Sequence, residues 1–127
     1  MKAPGYARRP DHKVIEKHLD QRVTVQIRGQ VLADSRNVVR VDEDGSAPRY
    51  YFPRADVRMD LLSRTETTSH CPFKGTANYY GVRIEGSTLA DVVWTYEEPY
   101  EEHLGLKDRV AFWEEKIPGV ERATLPL

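Results

Sequence analysis

One short segment of the sequence gathers three side chains that could do chemistry. His70, Cys71 and Lys74 place an imidazole, a thiol and an ammonium group within five residues. A thiolate is the reactive form of cysteine, and nearby cationic groups lower the pKa of a thiol. Cys71 and His70 are therefore the candidate catalytic residues. The alternative interpretation is a structural cysteine beside a turn lysine, because adjacent residues within a strand point to opposite faces of a sheet.

A second set of candidates combines aromatic rings with polar edges. Tyrosine and tryptophan supply apolar area together with a hydrogen-bonding group, so they can line a small-molecule pocket. Core packing is the alternative for each ring, because several of them are in phase with valines. Together with the segment above and one acid, the candidate ligand-binding residues are Asp34, Tyr51, Thr68, His70, Cys71, Lys74, Tyr79, Trp94 and Tyr96.

Acidic and metal-binding patterns give weaker signals. Asp34, Asp56 and Asp91 each offer a general base, but no second acid lies at a fixed spacing that would form a catalytic pair. Turn, cap and strand-surface positions are the favoured interpretation of these acids. A single cysteine cannot build a cysteine-rich zinc site, and the four histidines fit no metal-ligand spacing. We therefore expect no metal and no cofactor.

The composition limits the class of protein. A chain of 127 residues corresponds to about one domain. Its 19 Lys and Arg are balanced by 20 Asp and Glu, so the basic excess that nucleic-acid binding needs is missing. No stretch approaches the roughly 18 apolar residues of a membrane span, and the first residues lack the apolar core of a signal peptide. With one cysteine, these features predict a cytoplasmic protein that binds neither nucleic acid nor membrane.

The apolar pattern predicts strands joined by tight turns. Apolar and polar residues alternate over 22–28, 78–84 and 90–96, and Asp44-Gly45 is a strong hairpin pair. About seven or eight short strands follow one another at intervals of roughly 8–12 residues. This spacing favours a mainly β fold of compact antiparallel sheets with one or two short helical turns. We expect a flexible N-terminal arm over 1–11, one β domain over 12–117 and a C-terminal tail over 118–127.

Three blocks of the sequence resemble the DUF427 family. They are Tyr51-Phe52-Pro53, the segment 68–80 with its Cys-Pro-Phe-Lys-Gly-Thr-Ala core, and the segment 90–99. The resemblance covers about residues 12–117 and implies compact antiparallel sheets in a sandwich or in the β-tent arrangement of the Mss4 architecture. Relatives of that architecture often hold zinc with two Cys-x-x-Cys pairs, which this chain lacks. The family also carries a nucleotidyltransferase-like label, but no Gly-Ser pair followed by paired acids and no phosphate-binding glycine loop is present.

The sequence leaves three functions open. The favoured prediction is a domain that binds a small polar or anionic metabolite in a pocket near the segment Thr68–Tyr80, where the polar and aromatic motif residues concentrate. An enzyme acting on a small metabolite through Cys71 or His70 is the first alternative. The second is an accessory protein that works through protein interaction, with a homodimer formed along an exposed strand edge.

Overall fold

Ten strands build most of the structure, a computed structural model that describes residues 1–127. The prediction of a mainly β fold is confirmed, with 54% of the residues in strands. The strands are β1 (Val14–His18), β2 (Gln21–Ile27), β3 (Gln30–Ser35), β4 (Val39–Glu43), β5 (Arg49–Phe52), β6 (Leu62–Cys71), β7 (Gly75–Ile84), β8 (Ser87–Tyr96), β9 (Val110–Phe112) and β10 (Val120–Pro126).

Helical segments are short and lie between the strands or before them. They are α1 (Gly5–Arg8) and four 3-10 turns at Arg54–Asp56, Met59–Leu61, Glu101–Leu106 and Glu114–Lys116. These turns are more numerous than the one or two that the sequence predicts. None of the helices has the length and apolar character needed to cross a bilayer.

The strands pair antiparallel in two sheets. The large sheet has the order β1-β4-β5-β9-β8-β7-β6, and the small sheet has the order β10-β2-β3. The β4–β5 hairpin turns at Gly45, which has a φ of +80°, as the Asp-Gly pair predicts. The β6–β7 hairpin turns just before Gly75, whose φ is +124°. Both turns need a residue that tolerates a left-handed backbone, and glycine does so without steric cost.

The main core lies between the two sheets. Val23, Val25 and Ile27 of β2 point into it, and their burial confirms the predicted alternation. The large sheet contributes Phe52 and Phe112, whose rings meet edge to face with centroids 5.8 Å apart. Burial of this shared apolar surface is the main favourable term that holds the two sheets together.

The opposite face of the large sheet carries a second and smaller apolar cluster. Neighbours on one strand divide between the faces, so that Phe52 and Val93 belong to the main core while Tyr51 and Trp94 belong to the second cluster. The other members of the second cluster are Val39, Val41, Ala77, Tyr96, Leu106 and Ala111. Because the small sheet packs on the other face, this cluster lies next to the surface and can border a cavity.

A bulge in β8 changes the phase of that strand. Asp91 has a left-handed φ of +58°, and Val92 joins the main core. The expectation that Val92 shares a face with Trp94 is therefore wrong. The hydroxyls of Thr65 and Thr67 donate to the Asp91 carboxylate at 2.6 Å and 2.7 Å, and these hydrogen bonds hold the pKa of Asp91 below its usual value. Asp91 thus fixes the bulge rather than lying on a regular strand surface.

The C-terminal segment belongs to the small sheet. The sequence predicts a tail over 118–127, but residues 120–126 pair with β2 in a register that runs from Val120↔Ile27 to Pro126↔Gln21. Most β10 side chains are exposed. A strand whose side chains are mostly solvated leaves little apolar alternation in the sequence, which explains why the pattern does not reveal it.

Candidate functional site

A cavity of about 200 Å³ opens on the second face of the large sheet. Trp94 and Tyr96 lie two residues apart on β8, so both side chains point to this face. Ser46 and Ala47, which are exposed residues of the β4–β5 turn, contribute to its rim. The lining residues are Val41, Glu43, Ser46, Ala47, Arg49, Lys74, Tyr79, Trp94, Tyr96 and Trp113.

A nearly buried ion pair forms part of the cavity wall. The Lys74 Nζ and Glu43 Oε1 atoms are 2.5 Å apart, and the two side chains are only 11% and 15% exposed. His12 Nε2 lies 2.9 Å from the other Glu43 oxygen. Glu43 ends β4 and Lys74 lies in the β6–β7 turn, so the pair joins opposite halves of the large sheet.

Burial and pairing act in opposite directions on the pKa values of this pair. Burial alone raises the pKa of Glu43, but hydrogen bonds from Lys74 and His12 outweigh it and hold the pKa below its ordinary value of 4.5. Burial alone lowers the pKa of Lys74, but the hydrogen bond to Glu43 and the charge of that carboxylate outweigh burial and raise it above 10.5. Both residues are therefore charged at neutral pH.

Two tyrosine hydroxyls lie deep in this region. The Tyr51 side chain is fully buried, and its hydroxyl accepts a hydrogen bond from Trp94 Nε1 at 3.1 Å. Tyr96 is 6% exposed and its hydroxyl has no partner within the protein, although no fully buried side-chain nitrogen or oxygen is left unpaired. The Tyr96 hydroxyl therefore keeps some contact with solvent, and the residue lines the cavity. Burial raises the pKa of both tyrosines, so both remain protonated.

Aromatic rings supply the apolar walls. Trp94 and Trp113 meet edge to face with ring centroids 6.2 Å apart. The Arg49 guanidinium lies 5.6 Å from the centroid of the Trp94 ring and donates to the Glu115 carboxylate at 2.7 Å and 2.9 Å. The cavity therefore presents flat ring surfaces beside cations that already have a carboxylate partner.

Four of the predicted binding residues line this cavity, and a fifth lies behind its wall. Lys74, Tyr79, Trp94 and Tyr96 line it, and Tyr51 contacts it indirectly through the hydrogen bond from Trp94. The alternation of β7 and β8 carries Tyr79, Trp94 and Tyr96 to the same face, since Tyr79 pairs directly with Trp94. From the segment Thr68–Tyr80, where the sequence predicts a pocket, this cavity includes only Lys74 and Tyr79.

The predicted catalytic pair is not assembled by the fold. β6 continues through Cys71, so His70 and Cys71 are neighbours on one strand and point to opposite faces. The exposed His70 ring contacts the Tyr100 hydroxyl, with Nε2 2.6 Å from the oxygen. Cys71 packs against the second apolar cluster, and its Sγ accepts the Lys74 N–H at 3.4 Å. The thiol therefore makes no hydrogen bond to the His70 imidazole.

Two other predicted binding residues also lie away from the cavity. Asp34 is on β3 in the small sheet, where the Arg22 guanidinium donates to its carboxylate at 2.8 Å and 2.7 Å. Thr68 is an exposed residue of the edge strand β6. No group of three His, Cys, Asp or Glu side chains lies close enough together to hold a metal ion.

Three important lining residues were missed by the sequence interpretation. They are Glu43, Arg49 and Trp113, from the β4–β5 hairpin and the end of β9. Arg49 lies two residues from Tyr51 on β5, so strand alternation alone places both on one face. The hairpin register then pairs Arg49 with Val41, two residues before Glu43.

The N-terminal segment packs against the turn that holds Lys74. The Phe73 ring lies between Tyr6, which meets it edge to face at 4.9 Å, and His12, which stacks on it at 4.2 Å. The Tyr6 hydroxyl is 2.7 Å from Nε2 of the buried His103. These contacts hold the N-terminal segment against the domain, in contrast to the predicted flexible arm over 1–11. The sequence pattern does not reveal them because they join residues that lie far apart in the chain.

These features define a small two-sheet β domain with an aromatic cavity on the outer face of its large sheet. The chain belongs to the family described as a domain of unknown function, DUF427, whose model it matches over residues 16–123. The family resemblance predicted from the sequence is thereby confirmed. The search of the curated proteins found no significant match.

Proposed function

We propose that the protein binds a small polar molecule in the cavity lined by Lys74, Trp94 and Tyr96. The observation that carries this proposal is the Tyr96 hydroxyl, which has no partner in the protein although its side chain is largely buried and lines the cavity. A hydroxyl with no protein partner that keeps contact with solvent is free to bond a ligand atom in place of water. A ligand oxygen or nitrogen in the cavity supplies the missing partner.

The Lys74 ammonium supports the same proposal. An ammonium group has three hydrogens to donate, and Glu43 accepts one of them from Lys74. The remaining hydrogens lie in a wall that is largely shielded from bulk water, where hydrogen bonds are electrostatically stronger than in water. Lys74 and Tyr96 together therefore offer donors to an acceptor atom of the ligand.

The size and walls of the cavity limit the ligand. A volume of about 200 Å³ lies below the roughly 300–1,000 Å³ of pockets for drug-sized ligands. The same volume of liquid water contains about six or seven molecules. The indole rings of Trp94 and Trp113 favour a flat apolar surface on the ligand. A molecule with one ring and few substituents fits these limits.

The other functions remain predictions with less support. An enzyme acting through Cys71 or His70 has less support, because neither residue lines the cavity and the two side chains point to opposite faces of β6. The register of the edge strand β6 is irregular between Arg64 and Thr68. Such irregularity disfavours the edge-to-edge pairing that the predicted homodimer needs. The free Cys71 supports the prediction of a reducing, cytoplasmic environment.

Thermal unfolding in the presence of small compounds tests the binding proposal. The panel contains free nucleobases, aromatic carboxylates, amino acids and monosaccharides. A ligand at 100 times its Kd stabilises the folded state by about 2.7 kcal/mol, which raises the Tm of a domain of this size by roughly 5–20 °C. The substitution Tyr96→Phe removes one hydrogen bond and is expected to weaken binding about 2- to 13-fold.

A matched substitution distinguishes loss of binding from loss of stability. Tyr100→Phe removes a tyrosine hydroxyl that contacts the exposed His70 outside the cavity lining, so it is expected to leave ligand affinity unchanged. A stabilising compound that binds Tyr96→Phe as tightly as the unmodified protein would contradict the proposed site. The absence of any stabilisation across the panel would contradict the proposed function.

A further inference from the structure

The residues that line the cavity limit the chemical class of its ligand. This inference rests on the binding function proposed above. We propose that the ligand is an uncharged planar ring with an amide edge, in which a carbonyl group lies next to an N–H group. Lys74 and Tyr96 donate to the carbonyl oxygen, Glu43 accepts from the N–H, and the ring contacts Trp94 and Trp113.

The charge balance of the cavity argues against a simple anion. Lys74 Nζ and Glu43 Oε1 are 2.5 Å apart, so any ligand group beside the ammonium also lies close to the carboxylate. Its attraction to the ammonium and its repulsion from the carboxylate act over similar distances and have opposite signs, so they largely cancel. The second cation, Arg49, is also neutralised by a carboxylate, that of Glu115. An anionic ligand would therefore gain little net attraction.

The hydrogen-bonding groups match an amide edge. The Lys74 ammonium, a donor, and the Glu43 carboxylate, an acceptor, stand side by side in this wall, and Lys74 Nζ lies 6.0 Å from the centroid of the Tyr96 ring, whose hydroxyl is a further donor. A carboxylate has about four lone-pair sites, of which Lys74 and His12 occupy two. A carbonyl next to an N–H satisfies a donor and an acceptor at the same time, whereas a carboxylate or a ring ether satisfies only the donors.

The aromatic walls favour a flat ring as the carrier of that edge. Trp94, Trp113 and Tyr79 contribute ring surfaces to one cavity of about 200 Å³. Flat heterocycles stack on aromatic side chains irrespective of their substituents, so stacking supplies affinity while the amide edge supplies selectivity. The fully buried Tyr51 fixes the Trp94 ring through the indole N–H and thereby keeps the wall in place.

Three probe compounds test the inference through intrinsic fluorescence. The chain has two tryptophans, and both line the cavity, so a ligand in the cavity changes the tryptophan emission. The probes are uracil, which has the amide edge, dimethyluracil with both ring nitrogens methylated, which keeps the carbonyls but lacks the N–H groups, and benzoate, a ring with a negative charge. We expect uracil to bind at least tenfold more tightly than the other two.

Substitution of the acceptor provides the second arm of the test. Glu43→Gln removes the charged acceptor, and a hydrogen bond to a charged group contributes enough that uracil affinity is expected to fall about tenfold or more. Glu85→Gln makes the same chemical change in an exposed ion pair with Arg28 and is expected to leave uracil affinity unchanged. Circular dichroism spectra show that each variant is folded.

The outcomes separate this inference from the function on which it rests. Tight binding of benzoate without binding of uracil would overturn the inference and leave the proposed function standing. Equal binding of uracil and dimethyluracil would overturn the role of the N–H group and of Glu43. Failure of all three probes overturns the inference, and the thermal panel then decides on its own whether the cavity binds any small molecule.

Discussion

Removal of either partner of the Lys74–Glu43 ion pair is expected to destabilise the fold strongly. The substitution Lys74→Met leaves the Glu43 carboxylate, which is 15% exposed, with His12 as its remaining partner. The substitution Glu43→Gln leaves the Lys74 ammonium, which is 11% exposed, without an opposite charge. Removing one partner from a fully buried pair costs about 3–5 kcal/mol, because the other charge is left buried and unpaired.

The residual exposure of the two side chains reduces this cost. For a pair that keeps slight contact with water we expect each single substitution to lower the free energy of unfolding by about 2–4 kcal/mol. The double variant Glu43→Gln/Lys74→Met has no uncompensated charge at this position. Its loss is therefore expected to be about 1–3 kcal/mol smaller than the sum of the two single losses.

Denaturant unfolding at neutral pH of the four proteins in this cycle measures both quantities. The exposed pair Arg22–Asp34 supplies the matched control, and we expect Arg22→Met and Asp34→Asn to change stability far less, since both side chains remain largely solvated. Single losses below about 0.5 kcal/mol, or a double loss equal to the sum, would refute the reasoning that this pair is buried and coupled.

Three further predictions concern pH, the N-terminal segment and the cavity wall. The pKa of Glu43 in the folded state lies below its ordinary value of 4.5, so the folded state binds fewer protons there, and the stability of the protein falls as the pH drops through that folded pKa. The substitution Glu43→Gln is expected to flatten this part of the curve of stability against pH. Denaturant unfolding at several pH values measures the curve, and a curve unchanged by the substitution would contradict the prediction. The substitution Gly5→Ala places a Cβ atom 2.7 Å from two atoms of the Phe73 ring. It is expected to lower the free energy of unfolding by about 1–3 kcal/mol and to speed proteolysis near the N-terminus. A gain in stability, as alanine gives in an open helix, would refute this packing. The substitution Trp113→Phe replaces an indole ring of the cavity lining by a smaller ring and is expected to weaken uracil binding measured by calorimetry. The far-ultraviolet circular dichroism spectrum is expected to stay unchanged. An unchanged affinity for uracil would show that Trp113 is not part of the site.

The strands and their faces were largely accessible from the sequence because both depend on local alternation. The pattern around Val23 and around Tyr80 identified side chains that the structure buries in the main core. It failed at Val92, because the left-handed residue Asp91 inserts a bulge whose cause, two threonine hydroxyls on β6, lies far away in sequence. Local pattern cannot reveal a contact between distant strands.

The candidate site could be predicted only in part for the same reason. Tyr79, Trp94 and Tyr96 were identified because aromatic residues in two neighbouring strands draw attention on their own. Glu43 lies next to the predicted Asp44-Gly45 turn, and its role depends on the sheet order that brings β4 opposite the turn holding Lys74. Sheet order arises from long-range packing, so a single sequence without structural information does not specify it.

Nuclear magnetic resonance of the two indole N–H groups tests most directly whether the cavity is a ligand site. Trp94 and Trp113 both line it, and the Trp94 indole also donates to Tyr51 at 3.1 Å. Uracil and benzoate are titrated in turn into the labelled protein. The account predicts that at least one of them shifts both indole signals in a saturable manner and that Tyr96→Phe weakens this response. Shifts confined to other parts of the protein, or a Tyr96→Phe variant that responds as strongly as the unmodified protein, would contradict the proposal that this cavity binds a small ring-bearing molecule. No shift with either compound would contradict the amide-edge inference.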